Sequence, residues 1–154
     1  SSVMRRGLLT FATRATRSLP RSLGLSPQVV RRVTTEADDV LAFHGAADET
    51  LEAILNGAIS LEDRHDDVES ELAAGVLTIK FESSNRAWVI NKQTPNRQIW
   101  FSSPISGPCR FELDEKDHLW RHTRDPTLSL DDILRRELGL EFRGASKTSS
   151  SEET

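Results

Sequence analysis

The chain has 154 residues, enough for one domain, and carries 20 basic and 24 acidic side chains for a net charge of −4. Its single cysteine, Cys109, excludes an intrachain disulfide framework and any Cys-x-x-Cys zinc or redox site. No stretch approaches the roughly 18 to 20 apolar residues that a membrane-spanning helix needs.

The charge is divided unevenly. Residues 1–35 hold Arg5, Arg6, Arg14, Arg17, Arg21, Arg31 and Arg32, with no lysine and no acid. This Arg-, Ser- and Thr-rich, acid-free composition is that of a mitochondrial transit peptide. Leu8, Leu9, Phe11, Ala12 and Ala15 offer an apolar side to a short helix, and Pro20 and Pro27 stop it from continuing. The competing reading is a basic arm that touches nucleic acid. It lacks the aromatic or glycine interleaving such arms show, so neither nucleic acid nor membrane is expected as a partner. No long apolar run follows the first arginines, which argues against a secretory signal. Cleavage is expected before Glu36. From Gly144 the sequence GASKTSSSEET is polar and of low complexity, a disordered tail over 144–154. A folded body remains over residues 36–143.

Within that body, Phe43, Ala47, Leu51, Ile54, Ala58 and Leu61 recur at steps of three and four, the stripe of an amphipathic helix. Gly57 in its interior costs about 1 kcal/mol relative to alanine, so packing must hold the helix. The period then changes. Val68–Leu72, Val76–Phe81, Ala87–Lys92, Gln98–Ser102, Cys109–Leu113 and His118–His122 are strand candidates. Thr94-Pro95-Asn96, the Pro104–Pro108 segment and Asp114–Asp117 serve as turns. Ser129 followed by Asp131 and Asp132 starts a second helix, with Leu130, Ile133, Leu134 and Leu138 as its apolar face and Gly139 as its end. A helix, a meander of short-turned strands and a second helix give an α+β two-layer sandwich. Two helices pack on one face of a five- to seven-stranded, mainly antiparallel sheet. The other face of the sheet is left uncovered.

Three constellations could carry chemistry. Asp48, Glu49, Glu52, Glu62, Asp63, Asp66, Asp67, Glu69 and Glu71 lie on the first helix or in the segment after it. At 100° per residue, Asp48, Glu52, Glu62, Asp63 and Asp66 share one arc if the helix runs that far. Such a ridge suits a hard cation, and it equally suits a solvated acidic face or a patch for a basic partner. Second, His44 stands one turn before Asp48, close enough to share a metal. Glu62 with His65 and Glu115 with His118 repeat a Glu-x-x-His spacing, but a buried di-iron centre needs four helices that this chain lacks. Third, Asn91 and Gln93 share one strand parity, and with Trp100 and Arg110 they resemble a protein-docking face. The alternative for Trp100 is a place in the core between sheet and helices. There is no dinucleotide, Walker, nucleophile-elbow or zincin motif, and Cys109 has no evident base beside it.

The run Gly75–Phe81 followed by WVINKQTPNRQIWFSSPISGP, residues 88–108, is similar to the frataxins. The resemblance extends from about His44 to Leu138. It implies the frataxin-like α-β sandwich, a mitochondrial matrix location and a role in iron–sulfur cluster assembly. The implied partners are a cysteine desulfurase and its scaffold protein. It further implies weak surface binding of iron (Fe2+/Fe3+) through an acidic ridge at His44, Asp48, Glu49, Glu52, Glu62, Asp63, Asp66 and Asp67. The implied partner-binding face comprises Asn91, Gln93, Trp100 and Arg110. Some frataxins act as ferroxidases, oxidising Fe2+ with O2, and some monomers assemble into iron-loaded storage oligomers. A purely allosteric activator of the desulfurase, with incidental iron binding, is the alternative.

Overall fold

The computed structural model describes residues 34–142. The expected leader, apart from Thr34 and Thr35, and the expected tail over 144–154 lie outside the described residues. The first helix, α1, spans Glu36–Glu62. It starts two turns earlier than its apolar stripe, because a capping box does what burial does not. Asp38 N–H donates to Thr35 Oγ1 at 3.2 Å, and Thr35 N–H donates back to Asp38 Oδ2 at 3.0 Å. Residues 36–42 bury nothing fully, and Leu41 is 72% exposed.

Six strands follow: β1 Val68–Ala73, β2 Val76–Phe81, β3 Arg86–Gln93, β4 Gln98–Ser103, β5 Gly107–Leu113 and β6 Trp120–His122. They pair in sequence order, every pair antiparallel. The β1–β2 connection is two residues, Ala74-Gly75, both with positive φ, the geometry of a type I′ hairpin turn. The expected strand at His118–His122 is shorter. His118 adopts φ +57° in the β5–β6 turn, where its N–H donates to Asp114 O at 2.8 Å.

The second helix, α2, spans Leu130–Leu138. Ser129 and Asp132 form its capping box, and Gly139 ends it at φ +64° in the left-handed conformation.

Both helices lie on one face of the sheet, as the meander required. One parity of the strands is buried beneath them: Leu77 and Ile79, Trp88 and Ile90, Ile99 and Phe101, then Phe111 and Trp120. These meet Phe43, Ala47, Leu51, Ile54 and Ala58 from α1 and Ile133, Leu134 and Leu138 from α2. Among the described residues every buried side-chain nitrogen and oxygen has a hydrogen-bond partner. Trp120 Nε1 donates to Thr50 Oγ1 at 2.8 Å, and the Thr50 hydroxyl donates to Ala46 O at 2.8 Å. Trp88 Nε1 donates to Glu137 Oε2 at 2.8 Å, tying β3 to α2. Among the described residues no helix is long and apolar enough to cross a membrane.

Candidate functional site: an open sheet face and an acidic ridge

Pleating places Val89, Asn91, Trp100, Ser102, Pro108, Arg110 and Glu112 on the side of the sheet away from the helices, opposite in parity to the buried set. Asn91, Trp100 and Arg110 stand directly across from one another on β3, β4 and β5. Gln93 lies one row further, opposite Gln98. Trp100 is therefore not a core residue; Trp88 and Trp120 fill that role at 4% and 1% exposure, while Trp100 is half-buried.

The Arg110 guanidinium carbon sits 4.6 Å from the Trp100 ring centroid, in cation–π range. Gln98 Oε1 accepts the indole N–H at 3.0 Å, and Gln98 Nε2 donates to Glu112 Oε1 at 2.7 Å. A shallow groove of about 590 Å³ runs over this face toward Thr123 and Arg124, its floor more apolar than polar. The sequence reading brought together Asn91, Gln93, Trp100 and Arg110; it missed Gln98 and Glu112. Their signal was available, since both share the parity of Trp100 and Arg110 on the same strands.

The ridge is more divided than the sequence arc implied. α1 ends at Glu62; Asp63 keeps helical backbone angles and stays on the arc, whereas Asp66 does not. Asp63 is the C-cap, its N–H donating to Ile59 O at 3.0 Å, and Asp66 lies in the turn that leads to β1. The last turn of α1 holds no base, and further carboxylates at the negative end of the macrodipole would oppose extension. Arg64 instead caps a free carbonyl, Nε donating to Ser60 O at 3.0 Å.

Asp48, Glu49 and Glu52 are exposed near the middle of α1, with half-buried His44 one turn before Asp48 and beside Phe43. Asp48 is already paired, with Lys92 Nζ 2.6 Å from its carboxylate. Glu62 accepts from the Ser70 hydroxyl and Asp67 from the Ser83 hydroxyl. Glu62 also borders a small cleft with Glu69, Glu71 and Lys80, so the outward face of β1 extends the acidic corner. Among the described residues no group of three His, Cys, Asp or Glu side chains is placed to hold a metal ion. The Glu-x-x-His pair at Glu115 and His118 is exposed in a turn. Burial pushes the Cys109 thiol up, helped by Glu137, which makes it a poor nucleophile.

A frataxin-like domain matches residues 37–144, most of the chain and all of this architecture but the first residue of α1. The chain belongs to the frataxin family. It is 40% identical over 107 residues to mitochondrial frataxin of Dictyostelium discoideum, covering 68% of this chain and 55% of that protein. It is 40% identical over 98 residues to mitochondrial frataxin of Caenorhabditis elegans, covering 62% and 71%. The first of these comparisons thus spans little more than half of the relative's length. A bacterial relative, the iron–sulfur cluster assembly protein CyaY of Pseudomonas fluorescens, is 32% identical over 103 residues, covering 65% of this chain and 89% of its own. Among solved structures, trimeric yeast frataxin complexed with ferrous iron superimposes with a TM-score of 0.54 at 38% identity, covering 61% of this chain and 82% of that one. The frataxin α+β sandwich accordingly agrees with the fold expected from the chain's periodicity.

Proposed function

We propose that this frataxin-family protein promotes iron–sulfur cluster assembly in the mitochondrial matrix by docking on a cysteine desulfurase–scaffold complex through its open sheet face. The observation that carries the reading is the row Asn91–Trp100–Arg110, held outward on a rigid sheet with no element of the described chain above it. Aromatic and arginine side chains at the centre of a polar-rimmed surface are what protein interfaces use as anchors. The names of the relatives supply the location and process: mitochondrial for the eukaryotic proteins, iron–sulfur cluster assembly for the bacterial one. The basic, acid-free leader supports import independently. Docking here would act on the partner enzyme by favouring its competent conformation.

Iron is the second element of the proposal. The carboxylates of Asp48, Glu49, Glu52, Glu62, Asp63, Asp66 and Asp67, with His44 at the margin, offer hard oxygen donors at the surface and no cage. Such a surface holds Fe2+ weakly and releases it to tighter sites. Because carboxylates favour Fe3+, it also promotes oxidation of bound Fe2+ by dissolved O2, which takes one electron from each iron and, with protons from water, is reduced to water; charge neutralisation by iron lets monomers associate. The relative solved with ferrous iron supports this part of the reading.

A sulfide-release assay of the desulfurase–scaffold complex, with and without this protein and with and without Fe2+, tests both parts. Stimulation that needs the protein but not Fe2+ identifies an activator. Stimulation only with Fe2+ identifies iron handling as the operative role. No stimulation in either arm refutes the proposal.

A further inference from the structure

We propose that Glu112 is a positioning residue of the docking face, fixing the Trp100 indole through the carboxamide of Gln98. The inference rests on the reading of the open face as a docking surface and adds to it the orientation of its central anchor.

Glu112 and Gln98 stand directly opposite on β5 and β4, and Trp100 is two residues beyond Gln98 on the same face. The chain of contacts is Trp100 Nε1 to Gln98 Oε1 at 3.0 Å and Gln98 Nε2 to Glu112 Oε1 at 2.7 Å. Its polarity is dictated from one end. An ionised carboxylate can only accept and an indole N–H can only donate, so the amide between them has one orientation that satisfies both. Glu112 thereby forces the Gln98 carbonyl toward the indole. Arg110 covers the ring from the next strand.

Two consequences follow for the partner. The indole N–H is consumed within the protein, so the partner meets Trp100 as an apolar surface without a donor. The ring is also held before docking, which lowers the entropy cost of association. An ordinary cross-strand pair that only adds stability would have neither consequence.

The test uses the full chain labelled with 15N-tryptophan. Hydrogen exchange of the Trp100 indole is read against the Trp88 and Trp120 indoles, which are buried and bonded to Glu137 and Thr50. Glu112→Lys replaces an acceptor by a donor, turns the amide around and sets its NH2 against the indole N–H. Trp100 exchange is expected to quicken by about two- to tenfold, the worth of one hydrogen bond, with Trp88 and Trp120 unchanged. Affinity for the desulfurase–scaffold complex is expected to fall by a similar factor. The double variant Gln98→Glu/Glu112→Lys places a carboxylate between two donors and is expected to restore both readouts. Unchanged Trp100 exchange or affinity in Glu112→Lys, or failure of the double variant to restore them, overturns the role of Glu112. Undiminished affinity in Trp100→Ala overturns the docking reading itself.

Discussion

Neutralising the acidic ridge in two blocks is expected to remove iron binding in two independent steps. The first block is Glu49→Gln/Glu52→Gln, in the middle of α1. The second is Glu62→Gln/Asp66→Asn/Asp67→Asn, at the corner between α1 and β1. Glu52 and Glu62 are ten residues apart on one helix, which at 1.5 Å per residue separates them by about 15 Å. Unit charges at that distance in water interact by about 0.3 kcal/mol before screening. The separation is also nearly two Debye lengths at physiological ionic strength, which leaves less than about 0.1 kcal/mol. An ion on one block therefore does not feel the other. Anaerobic Fe2+ titration followed by calorimetry should show each block variant losing its own share of binding, and the combined variant losing the sum. Asp48 stays out of the helix block because Lys92 already offsets it, so Asp48→Asn should change binding least. If either block alone abolishes all binding, the ridge is one site and the independence argued from the separation along α1 is wrong.

Thr50→Val leaves the buried Trp120 indole N–H without its acceptor and should cost about 1–3 kcal/mol by urea denaturation; a loss below about 0.5 kcal/mol would show that another group takes the bond. Gly57→Ala should stabilise by about 0.5–1 kcal/mol, since an added Cβ meets Leu140 Cδ2 at an ordinary 3.6 Å while the helix gains propensity, and a lower melting temperature would contradict it. Glu137 is held below the usual carboxylate range because hydrogen bonds from Ser103, Ser106 and Trp88 outweigh the upward effect of burial. A depressed folded-state pKa contributes stability above the unfolded value, about 4.3, and that contribution disappears as pH falls through the folded value. Glu137→Gln should therefore be less stable than the parent at pH 7, with the gap closing in acid; a gap independent of pH would refute the ionic contribution.

The meander and its two covering helices were legible because burial leaves a period. Strands such as Val76–Phe81 and Gln98–Ser103 alternate core and outer side chains, and Ser129 and Gly139 mark both ends of α2 in residue type alone. Two boundaries were not legible. The first turns of α1 carry no buried residue and depend on a Thr35–Asp38 capping box. The end of α1 at Glu62 carries no glycine signal, so a helical projection ran on through Asp66. On the open face, parity placed Asn91 and Gln93, while Trp100 could have gone to either side. Its neighbours decide the matter: Ile99 and Phe101 take the core positions, and the alternation sends Trp100 outward. Lys92 against Asp48 and Gln98 between Trp100 and Glu112 are tertiary pairings, set by register and helix position, that single-residue chemistry does not announce.

The account stands on the open face as a docking surface, and Trp100→Ala tests that surface most directly. The substitution removes a half-exposed ring from outside the core, so the variant should still fold, with a modestly lower urea midpoint from the lost Gln98 and Arg110 contacts, and should keep its Fe2+ titration. In the sulfide-release assay with the desulfurase–scaffold complex it should give no stimulation above the complex alone. Stimulation equal to that of the parent chain, from a folded variant, would contradict the account.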